Sequence, residues 1–178
     1  MNTKHLLSLA LGAMGLIGVA CALHSSRESI PGDWEQKSYI ERGDYLVNNL
    51  GHCVGCHTPL AKDGQSDLSL FLSGVPAKFA GVKEGQPQVA GFPGPRGSRV
   101  YAKNLTPDPE TGIGRWSEEQ FVQTFRTGVR PDGVKYATSP MEWNIYANMK
   151  AEDVRAIYQY LRTVKPLSNK VPDNIPPK

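Results

Sequence analysis

The sequence predicts an all-α fold: a small helical domain with a long ordered loop region. Apolar residues recur at helical spacing from about Asp33 to Gly51 and again from Ala151 to Val164. A capping-box pattern that begins at Ser117 predicts a further helix between them. The region from roughly 66 to 114 is instead rich in glycine and proline, which favours loops and at most short strands.

The first predicted helix, from about Asp33 to Gly51, has one candidate apolar face. That face consists of Ile40, Tyr45, Leu46 and Leu50. The second helix begins at Ser117-Glu118-Glu119-Gln120, where acidic residues occupy the first turn, and it ends at Gly128.

The last helix, 151–164, carries an apolar stripe and ends before Pro166. The stripe consists of Val154, Ile157, Tyr158 and Leu161. Lys150 stands where a Ser or Thr cap is usual, so we expect a poorly capped start. Gly43 and Tyr160 are predicted to meet where the first and last helices cross, because a glycine lets an aromatic ring approach closely.

Most of the chemistry is predicted by the run Cys53-Val54-Gly55-Cys56-His57, into which the first helix leads. Two thiols three positions apart can each add across a vinyl group of one haem, and the adjacent histidine can bind the iron. This C-x-x-C-H pattern is the attachment signature of a c-type haem. We therefore expect Cys53 and Cys56 to form thioethers and His57 to be an axial ligand.

Three other interpretations of this motif are a zinc site, a thioredoxin-like redox pair and a structural disulfide. A closed zinc site needs four ligands, and the only other candidates are His5, His24, His52 and Cys21. A thioredoxin-like pair would follow a strand in a βαβ unit, a pattern that does not surround this motif. A structural disulfide is compatible with an oxidising compartment but leaves His57 unexplained.

Residues 1–22 are typical of an export signal. A short polar start containing Lys4 precedes a mostly apolar run over 6–20, and Ala20-Cys21-Ala22 fits an A-x-A cleavage site. We expect cleavage after Ala22 and a periplasmic protein. The lesser alternative is a lipoprotein in which Cys21 is acylated, although Gly18 stands where lipoprotein signals usually carry a larger apolar residue.

The sequence favours one domain after the signal. We assign 23–34 to a tether, 35–168 to the domain and 169–178 to a mobile tail. The chain has a formal net charge of only +3, which gives no indication of nucleic-acid binding.

Two further segments resemble those of a known family. They are Asn104-Leu105-Thr106-Pro107-Asp108-Pro109-Glu110-Thr111-Gly112-Ile113-Gly114-Arg115-Trp116-Ser117 and Phe125-Arg126-Thr127-Gly128-Val129-Arg130-Pro131-Asp132-Gly133. With the haem motif, they resemble class I c-type cytochromes, in particular the cytochrome c domains of periplasmic alcohol, aldehyde and gluconate dehydrogenases. The resemblance extends over roughly 39–166. It implies a class I cytochrome c fold around one covalently bound haem c.

The resemblance also implies a sixth iron ligand. Such domains carry a Pro-Met-Pro-Tyr-like run before the last helix, and here the run reads Pro140-Met141-Glu142-Trp143. Met141 matches the ligand position, and a proline-fixed loop suits a thioether ligand, which raises the haem potential. Met149 is expected to fill the core, and His52, bonded to Cys53 on the proximal side, to lie on the surface.

The resemblance implies an electron-transfer protein rather than an enzyme, with a periplasmic dehydrogenase, an oxidase or another cytochrome as redox partner. Two alternatives remain: a haem enzyme or ligand sensor with an open iron site, and a haem-stabilised structural subunit of a dehydrogenase complex. Several residues are candidates either for hydrogen bonds to the haem propionates or for loop scaffolding, namely Arg99, Tyr101, Asn104, Thr106 and Trp116.

Overall fold

Helices form most of the regular structure of the chain. A computed structural model describes residues 33–75, 92–93, 96, 98–136 and 141–175. In chain order the elements are α1 (Asp33–Tyr45), a π-helical turn (Leu46–Leu50), α2 (Cys53–His57), a 3₁₀ turn (Leu68–Leu70), β1 (Phe92–Pro93), β2 (Arg99–Val100), α3 (Glu118–Thr127), α4 (Trp143–Tyr146) and α5 (Ala151–Leu161). The two strands pair antiparallel, with Phe92 opposite Val100. This architecture agrees with the predicted helical domain and its short strands.

Several predictions fall on other parts of the chain. The export signal at 1–22, the alternative at Cys21, residues 23–32 of the tether, and Pro140 lie outside the described residues. Within the described residues, no helix is both long and apolar enough to cross a membrane.

Helices α1 and α5 cross at Gly43, as predicted. A Cβ at this position would lie 2.0 Å from the carbonyl oxygen of Ala156 and 2.6 Å from the Cβ of Tyr160. The backbones therefore touch where only a glycine fits. Polar pairs flank this contact on both sides: Arg42 with Asp153, Gln36 with Gln159, and Asn48 with Tyr160.

The buried face of the first helix differs from the predicted one. Leu46 and Val47 are buried, whereas Tyr45 is 57% and Leu50 is 68% exposed. Tyr45 lies two residues from Gly43, a little more than half a turn away, and so points away from α5. Leu50 would follow Val47 on the same face of an α-helix, but the π-helical turn shifts it off that face.

Helix α3 begins with the predicted capping box. The Ser117 hydroxyl accepts from the backbone N–H of Gln120, whose side chain accepts from the backbone N–H of Ser117. Gly128 ends the helix at φ 66°, the left-handed conformation that glycine adopts without strain. Phe121 on α3 is buried, and its ring lies 5.4 Å from that of Tyr158 on α5.

Helix α5 supplies much of the core. Val154, Ile157 and Leu161 are buried as predicted, while Tyr158 is only partly buried. No side chain caps the helix at Lys150, in agreement with the sequence, although Glu152 and Asp153 occupy its first turn. Met149 packs against the core, the role that the sequence predicted for it.

Residues 169 and 174, in the segment predicted as a mobile tail, make hydrogen bonds to the loop region. The side-chain amide of Asn169 donates to the carbonyl oxygens of Ser73 and Gly74, and Asn174 accepts from the backbone N–H of Tyr101. Two asparagines thus satisfy backbone groups of the loop region.

We expect Gly43→Ala to lower the free energy of unfolding by about 1–3 kcal/mol, because the added methyl group must push α1 away from α5. This loss should outweigh the gain of up to about 1 kcal/mol in helix propensity. Denaturant unfolding of the purified protein measures the effect, with Ser38→Ala at an exposed position of α1 as the control. An unchanged unfolding midpoint for Gly43→Ala would contradict the close crossing.

Candidate haem site

Helix α2 carries all three residues of the predicted attachment motif on five consecutive positions. Cys53 is partly buried, Cys56 is exposed, and both are free thiols. His57 at the end of the helix is only 7% exposed. His52, just before the helix, is exposed, as predicted for a surface residue, and it adopts the left-handed conformation with φ 49°. One helical turn therefore presents two thiols and an imidazole.

A single hydrogen bond fixes the His57 ring. Its Nδ1 lies 2.7 Å from the backbone carbonyl oxygen of Lys103. A carbonyl can only accept, so Nδ1 carries the proton and Nε2 keeps a free lone pair. Burial lowers the pKa of His57, while the bond to Lys103 acts in the opposite direction. The result is a neutral imidazole with Nε2 available, which is the form that binds a metal.

Backbone hydrogen bonds hold α2 against the loop region. The N–H of Gly74 donates to the carbonyl oxygen of His57 at 2.8 Å. Thr58 accepts from the backbone N–H of Leu72 at 3.0 Å, and Leu72 in turn accepts from the N–H of Leu105 at 2.9 Å. Residues 72–74 thus bridge α2 and the segment that contains Lys103.

Asn104 organises that segment. Its side-chain amide donates to Thr111 and to the carbonyl oxygen of Leu167, and its oxygen accepts from the N–H and the hydroxyl of Thr106. These four bonds use its full hydrogen-bonding capacity. Of the two roles left open for Asn104 and Thr106, the structure therefore shows scaffolding.

Three candidates for propionate binding or loop scaffolding remain: Trp116, Tyr101 and Arg99. Trp116 packs against the core, and its carbonyl accepts from the Tyr158 hydroxyl. Tyr101 is buried. The side chain of Arg99 is not among those described.

The two thiols are not poised as metal-binding thiolates. Burial raises the pKa of Cys53 to about 11 and also raises the pKa of Cys56. The thiolate is the form that attacks disulfides and binds zinc. Across the described ranges, no three His, Cys, Asp or Glu side chains are grouped so that they could hold a metal ion.

Met141 lies at the start of a short segment that the structure brings to the haem motif. It is partly buried and stands two residues before α4. From α4, the Tyr146 hydroxyl donates to the carbonyl oxygen of Gly51 at 3.3 Å. The thiols of Cys53 and Cys56 also contribute to the raised pKa of Tyr146, after burial. Helix α4 therefore ties the Met141 segment to α2.

The Met141 segment departs from the related Pro-Met-Pro-Tyr run in its backbone. Glu142 has φ 47°, in the left-handed region. A proline ring fixes φ near −65°, so proline cannot adopt this conformation. A proline at this position would therefore require a different backbone conformation after Met141.

The residues present fit a covalently bound haem. Two free thiols and a buried imidazole with an available Nε2 lie on one turn, which is the donor set that haem c attachment requires. Two buried N–H groups, Arg130 Nε and Trp143 Nε1, have no acceptor within the described part of the protein.

Three features of the site were missing from the sequence-based predictions. They are the Lys103 carbonyl, the bond from Tyr146 to Gly51, and the buried donors of Arg130 and Trp143. The first two involve backbone carbonyls, which every residue carries and no motif marks. The Arg130-Pro131-Asp132-Gly133 turn was visible in the sequence and is the one signal that could have drawn attention to Arg130.

The chain is similar to the cytochrome c subunits of several dehydrogenases. It is 31% identical over 166 residues to the cytochrome c subunit of alcohol dehydrogenase (quinone) from Gluconobacter oxydans, covering 90% of this chain and 28% of the relative. It is 31% identical to the gluconate 2-dehydrogenase cytochrome c subunit of Pantoea cypripedii, over 88% of this chain and 28% of the relative. It is 34% identical to the fructose dehydrogenase cytochrome subunit of Gluconobacter japonicus, over 72% of this chain and 22% of the relative.

No family model matches the chain. The chain spans only about a quarter of the length of these three relatives. The match to the Gluconobacter oxydans subunit nevertheless covers 90% of this chain, so it includes the C-x-x-C-H motif, the loop region and most of the last helix. The protein therefore contains a cytochrome c domain that resembles those of the cytochrome c subunits of alcohol, gluconate and fructose dehydrogenases.

Proposed function

We propose that this protein is a single-haem c-type cytochrome that carries electrons in the periplasm, from a dehydrogenase towards a respiratory acceptor. Cys53 and Cys56 form the thioether bonds to the haem, and His57 and Met141 are its axial iron ligands. The chain carries one C-x-x-C-H motif, which supports one haem c per chain. A further protein, rather than this chain, performs the chemistry on the substrate.

The observation that carries this proposal is the hydrogen bond from His57 Nδ1 to the Lys103 carbonyl. It fixes the tautomer and the orientation of a buried ring that directly follows Cys56. A ring fixed in this way is ready to coordinate through Nε2, and a hydrogen bond of this kind raises the basicity of the ligand.

The haem supplies a one-electron couple at its iron, and the side chains determine how that couple behaves. Cys53 and Cys56 would hold the haem on α2, and His57 Nε2 and the Met141 thioether would be the ligands of its iron. A thioether ligand would raise the potential of that iron. The core residues Leu46, Val47 and Leu72 are buried, so water is excluded from the part of the core that they form.

The proposed partners are based on the relatives, which are cytochrome subunits of alcohol, gluconate and fructose dehydrogenases. We propose a periplasmic dehydrogenase as the electron donor and an oxidase or another cytochrome as the acceptor. Electron-transfer contacts are small and short-lived, which suits a chain of near-neutral net charge, +3.

We expect Met141→Ala to abolish the low-spin ferric signal at neutral pH and to lower the reduction potential, because the thioether is replaced by a weaker ligand or none. Electron paramagnetic resonance and redox titration measure both effects. Met149→Leu is the matched control, since a volume-conserving change at a core methionine costs less than about 1.5 kcal/mol and leaves the iron ligands in place.

Two other results would point to a different sixth ligand or to an open iron site. A low-spin signal that survives in Met141→Ala would assign the sixth position to another residue. A high-spin signal in the unaltered protein would favour a haem enzyme or ligand sensor with an open iron site.

We expect protein from the periplasmic fraction to begin at Leu23 and to carry the mass of one haem. Cleavage after Ala22 removes Cys21, and the single attachment motif holds one group. Intact-mass spectrometry tests both statements, and the double variant Cys53→Ala, Cys56→Ala provides the haem-free control. Recovery in the membrane fraction with a lipid mass on Cys21 would instead establish the lipoprotein alternative, and the mass of two haems would contradict the single-haem proposal.

A further inference from the structure

Two buried N–H groups in the described part of the protein have no acceptor. They are the Nε of Arg130 and the indole Nε1 of Trp143. A buried donor that lacks an acceptor costs free energy, so in folded proteins such a group usually has a partner in the protein, in ordered water or in a bound ligand.

Both donors belong to one cluster around a short hairpin, residues 128–136. Val129 pairs with Lys135, and the N–H of Tyr136 donates to the carbonyl oxygen of Gly128 at 2.7 Å. The Trp143 ring packs on this hairpin, since a Cβ at Gly128 would lie 2.4 Å from the ring. Arg130 is two residues further along the same hairpin.

The cluster adjoins the backbone that holds His57. Burial lowers the pKa of Lys103, and the positive charge of Arg130 lowers it further. Arg130 therefore acts on the residue whose carbonyl fixes the His57 ring. Trp143 stands two residues after Met141, so the same cluster also adjoins the segment of the second proposed ligand.

The chemistry of the two donors favours an anion. The guanidinium of Arg130 uses Nη2 to bind Asp132 at 2.5 Å, which leaves Nε as a second, charged donor. A carboxylate accepts a guanidinium N–H and an indole N–H equally well, and bonds to charged groups are the stronger ones. The proposed haem brings two carboxylates, its propionates, to this region.

We propose that Arg130 Nε–H and Trp143 Nε1–H donate hydrogen bonds to the haem propionates. This inference rests on the proposed function, because it requires a haem attached at Cys53 and Cys56. It gives Arg130 the role of keeping a propionate ionised, and Trp143 the role of anchoring the Met141 segment. Among the described residues, Lys103, Asp132 and Tyr136 lie close enough to Arg130 for their charges to interact, Asp173 acts on Lys103, and Lys135 Nζ lies 6.0 Å from the centre of the Trp143 ring.

The pH dependence of the reduction potential tests this inference on the haem-loaded protein. Removal of a nearby cation raises the pKa of a carboxylic acid, and a propionate that stays ionised without a neighbouring cation stabilises ferric iron relative to ferrous iron. We expect Arg130→Gln to lower the potential at neutral pH. The pH range over which the potential changes should move upwards by about one to three units. Trp143→Phe keeps the ring on Gly128 but loses the N–H, so its shift should be smaller and in the same direction.

Two controls separate this effect from general losses of charge or stability. Arg115→Gln removes an exposed guanidinium paired with Glu110, and Tyr158→Phe removes one hydrogen bond to the Trp116 carbonyl. Both should keep the unaltered pH profile. If Arg130→Gln fails to load haem, Arg130→Lys and Trp143→Phe take its place. Arg130→Lys keeps the positive charge but loses the Nε–H, so its reduction potential and pH profile should shift less than those of Arg130→Gln.

The possible outcomes are distinct. Potentials and pH profiles of the Arg130 and Trp143 variants that match the controls would overturn the propionate assignment while leaving the cytochrome proposal intact. An unaltered protein that attaches no haem would instead contradict the proposed function itself.

Discussion

The hydrogen bond between His57 Nδ1 and the Lys103 carbonyl is the interaction on which the proposed site depends. Without it, either ring nitrogen could carry the proton and the ring could turn. With it, Nε2 is the free nitrogen, and the ring is oriented by a loop residue 46 positions away in the chain. The position of Lys103 depends in turn on the loop scaffold, in which Asn104 makes four side-chain hydrogen bonds. The long loop region therefore orients the His57 ring, the proposed proximal ligand.

Two contacts hold the chain that leads into the attachment motif. The close approach of α1 to α5 at Gly43 positions the helix before the motif. The hydrogen bond from the Tyr146 hydroxyl joins α4 to Gly51, two residues before Cys53. Met141 precedes α4, so the segment of the proposed distal ligand is fastened to the same stretch of chain as Cys53. Both proposed ligand segments are thus linked to the same part of the fold.

Local sequence patterns predicted the features that depend on local chemistry. The capping box at Ser117, the end of α3 at Gly128 and most of the α5 stripe follow from spacing and residue type, and the structure confirms them. The predicted face of the first helix was partly wrong, because a π-helical turn has no marker in the periodicity. Asn169 was assigned to a mobile tail because a proline-rich end gives no indication that its amide will satisfy loop carbonyls. The partner of His57 was equally invisible, since it is a backbone carbonyl.

The central claim is that the iron is closed by His57 and Met141, so that the haem transfers electrons and binds no substrate. The optical spectrum of the unaltered ferric protein tests this claim most directly, because a thioether ligand gives a sulfur-to-iron charge-transfer band at the red end, which an open iron site lacks. The account predicts that this band is present at neutral pH in a low-spin protein. Its absence together with a high-spin spectrum would contradict the account and would mean that the sixth position is open.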